Sequence, residues 1–308
     1  MIMTGRFRIQ SADFIGILIF AVIWGGSTAY LAATGADWMF PFIALGVFGI
    51  GLSAIGWVLT RGARRPMIEV RRPALESYAL LAFLSVYAVA FLTFGMSALR
   101  EQIAPGRVQE LAALAVKLGV HVAAPAILLL LVGARLRPIF ISAISPEIFW
   151  RTLIIMSAIL VALLAIVSPS LKNINDLNPA LTTLAWAAPA SFLWLALEAG
   201  LNEEFFFRGL LQTRFSAWFK SAWTGVAVTS ILFGLAHAPG LYLRGGPEVE
   251  GWSSDPVQVV AYSIATLAPL SVFFGFLYAR TNSLLLVVLL HAMLDFLPNL
   301  SEFIRIWA

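Results

Sequence analysis

Nine stretches of the chain are apolar over roughly twenty residues each, the length a helix needs to cross the hydrocarbon core of a bilayer. They are Phe14–Thr34, Met39–Thr60, Tyr78–Ala98, Ala113–Val132, Phe149–Val167, Leu181–Leu201, Ala222–Ala238, Val257–Ala279 and Leu284–Leu300. Inside lipid, backbone amides find partners only within a helix or a closed barrel. A barrel would show alternating segments of about ten residues, and these stretches are too long and too uniformly apolar for that. The expected fold is all-α: a polytopic transmembrane helix bundle with eight or nine spans. Only Arg280–Ser283 separates the last two stretches, which predicts a tight hairpin there. The first stretch follows Arg6 and Arg8 and is long enough for a retained signal anchor rather than a cleaved signal peptide.

Composition excludes most soluble alternatives. Of the 308 residues, 60% are hydrophobic and 12% charged, with a mean hydropathy of +0.90. A soluble domain carries about a quarter charged residues, so this chain lacks the charge to cover a water-facing surface. The formal net charge of +4 is carried by residues that flank apolar stretches, where they report topology rather than nucleic-acid binding. The segment from Arg61 to Arg72 holds five arginines and is expected in the cytoplasm. Alternation then puts Arg135, Arg137, Arg214, Lys220 and Arg280 on the same side. Arg100, Arg107, Lys172, Arg244 and Arg305 fall on the other. The chain has no cysteine, which excludes disulfides, thiolate catalysis and cysteine-ligated metal.

No polar connection is long enough to hold a soluble second domain, so one membrane domain is expected. Within it, residues 1–180 carry no recognisable motif and residues 181–308 carry the chemistry. Leu171–Ala180 and Leu241–Pro256 read as loops from their Asn, Gly and Pro content. Asn202–Ser221 reads as an amphipathic helix lying on the membrane surface or dipping into it.

Ionisable groups at membrane depth are costly and usually functional. Lys117, His121, Glu198, Glu203, Glu204, Arg208, His237, His291 and Asp295 qualify. Lys117 and His121 read as interfacial or packing residues, and Glu198 as a helix-end carboxylate at the interface, with a place near the site, five residues before Glu203, as the alternative. The other six form three clusters. Glu204 and Arg208 are four apart on a helix and can pair, which leaves Glu203 about 100° round the helix and free for proton transfer. Phe233 and His237 are also four apart, so the ring can wall the imidazole. His291 and Asp295 repeat the spacing, and the carboxylate can orient the imidazole. Each cluster alone also fits a plain ion pair, a packed histidine or a polar clip between helices. Together they bury more charge than helix packing requires.

Glu203-Glu204-x-x-x-Arg208, Phe233-x-x-x-His237 and His291-x-x-x-Asp295, in that order, resemble the three-motif signature of the CAAX prenyl protease 2 / bacteriocin-processing (CPBP, Abi-like) family. The string Glu-Glu-Phe-Phe-Phe-Arg-Gly-Leu-Leu-Gln strengthens the resemblance, which covers about Leu181–Leu300. It implies an intramembrane endopeptidase of the glutamate type without cofactor or metal, acting on a membrane-associated protein or peptide. By that resemblance Glu203 and His237 would activate the attacking water, and Glu204 with Arg208 would hold the motif in shape. His291 and Asp295 would stabilise the oxyanion. The best-understood members carry Asn at the last position, and the family pattern admits Asp. An ionised Asp cannot donate to an oxyanion. Either Asp295 is protonated, or it only orients His291.

Zinc is the natural competitor, since two His and two Glu could ligate it, but His-Glu-x-x-His is absent. A non-enzymatic membrane scaffold or immunity-type protein and a proton-coupled transporter are the readings from other classes. Gly-x-Ser-x-Gly is also absent. The expected location is a prokaryotic cytoplasmic membrane.

Overall fold

The computed structural model describes residues 11–63, 68–142 and 144–308. Arg6, Arg8, Arg64 and Arg65, which entered the topology reading, lie outside the described residues. Among the described residues the fold is all-α, without strands. Nine helices among the described residues are long and apolar enough to cross a membrane: α1 (Ser11–Ala33), α2 (Phe40–Leu59), α3 (Pro73–Gln102), α4 (Arg107–Leu131), α5 (Pro146–Val167), α7 (Leu181–Trp218), α8 (Ala222–Arg244), α9 (Pro256–Thr281) and α10 (Leu284–Trp307). A short helix, α6 (Ser170–Leu177), lies between α5 and α7. The protein is an integral, multi-pass membrane protein.

Local chemistry sets the helix starts. Pro73, Pro146 and Pro256 stand in first turns, where a missing N–H costs nothing. Ser145, Ser221, Asp255 and Ser283 cap α5, α8, α9 and α10 by accepting from amides of the first turn. The Tyr30 hydroxyl also donates to Asp255 at 2.8 Å. That bond holds the Asp255 carboxyl below the usual carboxylate range. Asn282 takes the left-handed conformation (φ 45°) and makes the hairpin between α9 and α10 that the short polar linker predicts.

Burial shows which helix is central. On α1, Phe14, Leu18 and Val22 form an outward stripe, each more than 60% exposed, which is the face lipid covers. In α9, 72% of the apolar stretch is buried, against 17% in α1. α9 packs on α1, α2 and α8, while α10 packs on α5, α6 and α7. Two glycines set close approaches around the helices that carry the clusters. A Cβ on Gly200 of α7 would lie 2.5 Å from the Val288 carbonyl oxygen of α10. One on Gly234 of α8 would lie 2.9 Å from the Ser263 carbonyl oxygen of α9. Small residues let membrane helices approach this closely.

Several expectations change. Asn202–Ser221 is not a surface helix: as far as Trp218 it forms the second half of α7, which runs 38 residues without a break. Residues 204–215 are all buried. Glu204, Arg208 and Arg214 are paired inside the protein, and the phenylalanines of Phe205–Phe207 pack inward. Phe206 lies against Phe83 of α3, and Phe207 against Phe233 of α8. Arg214, read as a topology signal, is 1% exposed and donates to Glu76 of α3 at 3.1 Å. Leu171–Ala180 is largely helical, ending at Asn178 in the left-handed conformation. α8 continues through Pro239 to Arg244, beyond its expected end at Ala238.

α7 departs from α-helical winding around the charged motif. Ala196–Leu201 and Phe205–Gln212 make wider i→i+5 turns. Such turns cluster at functional sites.

Candidate active site

The three clusters converge. Glu204, fully buried, accepts from Arg208 Nε at 3.0 Å through one oxygen. Through the other it accepts from His291 Nδ1 at 2.8 Å. One carboxylate therefore joins its own helix turn to α10. The Arg208 guanidinium sits 5.3 Å from the centre of the Phe233 ring, a cation–π contact that partly offsets its desolvation.

Glu203 points the other way. Its Oε2 is buried without a hydrogen-bond partner, 3.7 Å from both His237 Nε2 and His291 Nε2. That is too long for a direct hydrogen bond, and it leaves the carboxylate, His237 and His291 facing one small space. His237 Nδ1 lies 2.8 Å from the Phe233 carbonyl oxygen. A carbonyl only accepts, so the proton is on Nδ1, and in the neutral ring Nε2 carries the lone pair toward Glu203. The Phe233 ring lies 4.6 Å from the His237 ring, the wall that the spacing implied.

His291 stacks on Phe274 of α9, ring centres 5.0 Å apart. Its Nδ1–H is committed to the Glu204 carboxylate. Its Nε2 lies 3.5 Å from Asp295 Oδ2. It can therefore donate from Nε2 only when both ring nitrogens carry protons. Asp295 and His237 reach a cavity of about 600 Å³. Its walls include Phe40, Ala44 and Phe48 of α2 and Leu164 of α5. The N-terminal helices, although without motif, thus help enclose the space before the polar groups. Among the described residues no group of three or more His, Asp or Glu side chains is arranged to hold a metal ion.

Some neighbours escaped sequence reasoning. Lys117 of α4 pairs with Glu198 of α7, a partnership that the sequence did not show. His121 is buried, with Nδ1 on the Lys117 carbonyl at 3.0 Å and Nε2 accepting from the Tyr87 hydroxyl at 2.6 Å. Lys117 and His121 lie within electrostatic reach of Glu203, and Glu198 within reach of Asp295. The i, i+4 spacing of Lys117 and His121 was the available signal, but nothing local connects them to α7.

Residues 184–297 match the family model of Rce1-like proteins, type II CAAX prenyl endopeptidases. That segment is similar to the Rce1-like family. The match begins in α7, ends in α10, contains all six residues of the three clusters, and nearly coincides with the span of the motif resemblance. The likeness is to CAAX-type proteases, over less than half of the chain. No curated protein and no solved structure matches the chain. The Rce1-like segment leaves α1 to α6 outside it, including the α2 and α5 residues that wall the cavity.

Proposed function

We propose that the protein hydrolyses a peptide bond of a membrane-associated protein or peptide by direct attack of a water held between Glu203 and His237. The observation that carries this reading is the unpartnered Glu203 Oε2, 3.7 Å from His237 Nε2. Two acceptors at that separation can each take one proton of a single water, which aims its lone pair outward. Glu203 then removes a proton as the oxygen attacks the scissile carbonyl, and returns it to the leaving amine. The intermediate is tetrahedral, and no side chain becomes acylated.

Glu204 with Arg208 holds the geometry, since its second oxygen fixes His291. His291, as the imidazolium, donates from Nε2 to the developing oxyanion. Asp295 accepts from that same nitrogen and orients it until substrate arrives. The cavity before His237 and Asp295 is the route for the substrate chain.

The test is cleavage of a membrane-protein or lipopeptide substrate by protein reconstituted in liposomes. Activity that survives chelators and vanishes in Glu203→Ala supports the reading. Activity lost to chelators and restored by zinc sinks it.

A further inference from the structure

A second recess, of about 520 Å³, lies between α3 and α8. Leu84, Ala88 and Leu92 line one side and Leu232, Leu235 and Leu243 the other. It offers almost no polar partner. The Thr93 hydroxyl is engaged by the Val89 carbonyl of its own turn, and Tyr242 stands toward the end near Arg244. A peptide strand in this groove would leave its amides unsatisfied, at several kcal/mol for each in a dry setting. An acyl chain has no amides to satisfy.

One end of the groove is charged. The Arg244 side chain folds back past Gly240 and donates from Nη1 to the Leu92 carbonyl at 2.9 Å. Its guanidinium therefore spans the gap between α8 and α3 at the groove wall. Arg100, exposed near the same end of α3, is within electrostatic reach of it. Among the described residues neither arginine forms an ion pair with a carboxylate. Two unneutralised cations beside an apolar slot complement an anionic headgroup with its chain. Basic pockets between membrane helices bind such headgroups, and Tyr242 stands where interfacial aromatics gather.

We propose that this groove is a binding site for an anionic phospholipid, with one acyl chain between α3 and α8 and the phosphate at Arg100 and Arg244. The bound chain would pack on Ala236 and Ala238, the neighbours of His237 in sequence. The proposal does not depend on the catalytic reading.

The experiment uses full-length protein in a neutral detergent. Phosphatidylglycerol and phosphatidylcholine with identical acyl chains are titrated, and retained lipid is counted by native mass spectrometry. Phosphatidylglycerol should bind more tightly. Arg100→Gln/Arg244→Gln should weaken it about thirty-fold and leave phosphatidylcholine unchanged. Ala88→Phe, which fills the slot, should weaken both lipids. Arg100→Lys/Arg244→Lys keeps the charge and should keep the preference, which separates lost binding from lost folding. Equal binding of the two lipids, or a preference that survives the Gln pair, overturns the proposal. So does displacement of phosphatidylglycerol by equimolar farnesol, which would give the groove to an uncharged isoprenoid.

Discussion

Glu204 and His291, 87 residues apart in sequence, share a hydrogen bond of 2.8 Å inside a protein that leaves Glu204 fully buried and His291 5% exposed. This bond joins α7 to α10 at the depth of the site. It also decides which nitrogen of His291 remains for chemistry. A carboxylate in that position must be matched by charge, because an uncompensated ion in a dry interior is among the most expensive defects a fold can carry.

Glu204→Ala therefore acts through the fold first. It strands the Arg208 guanidinium, whose Nη1 and Nη2 already lack partners, and it frees the His291 ring. The expected loss of stability is about 3–5 kcal/mol, with activity falling in parallel. Glu204→Gln keeps an acceptor oxygen for one of the two donors, Arg208 Nε or His291 Nδ1, and turns an amide N–H toward the other, so it should fold with a smaller loss than Glu204→Ala. Thermal unfolding in detergent beside cleavage rates distinguishes the two variants.

Glu203→Gln should do the opposite. Glu203 Oε2 makes no hydrogen bond, so the fold relies little on it. Activity should fall by about 10²–10⁴, while the thermal midpoint stays unchanged or rises. A midpoint drop as large as that of Glu204→Gln would assign Glu203 a structural role and defeat the division of labour between the two glutamates.

The pairings behind this proposed division were legible in the sequence, because spacing on a helix face does not depend on tertiary structure. Glu204 and Arg208 pair, Phe233 walls His237, and Asp295 reaches His291, all at i, i+4. The buried second half of α7 was not legible. Its alternation of charge and phenylalanine is also the pattern of a surface helix, and only the partners on α3, α8 and α10 decide between the two. Long-range pairs were invisible for the same reason. Glu76 and Arg214 stand 138 residues apart, and Lys117 and Glu198 stand 81 apart.

Gly200 tests the close packing behind the site. A methyl group there meets the Val288 carbonyl at 2.5 Å, and backbone cannot step aside as a side chain can. Gly200→Ala should cost about 1–3 kcal/mol and push α10 away from α7. Because α10 carries His291, activity should fall more than the folded fraction does. Unfolding and specific activity, measured on the same preparation, check this.

Asp295 separates orientation from donation. Asp295→Asn retains an oxygen that can accept from His291 Nε2 and adds an N–H that can reach an oxyanion. Cleavage should be kept or increased. Asp295→Ala removes both functions and should lower kcat by about ten-fold to a hundred-fold, with KM little changed, because the oxyanion exists only in the transition state. If Asn is as damaging as Ala, the negative charge itself is required.

The pair formed by Lys117 and Glu198 tests whether helices outside the Rce1-like segment tune the site. Both side chains are part-buried, at 26% and 20% exposure, so the pair is neither fully screened nor fully desolvated. Lys117→Met leaves Glu198 without its partner on the same helix as Glu203. Glu198→Gln leaves Lys117 without a counter-charge but still within reach of Glu203. The double variant removes both charges at once. If the pair acts only as a clip, stability should show a coupling of about 0.5–3 kcal/mol, with kcat unaffected once the protein is folded. If Lys117 also sets the field at Glu203, Lys117→Met should lower kcat even where the double variant recovers stability. A stability cycle and a kcat cycle on the same four proteins decide between them, because charge acts at a distance whereas a clip acts only through its partner.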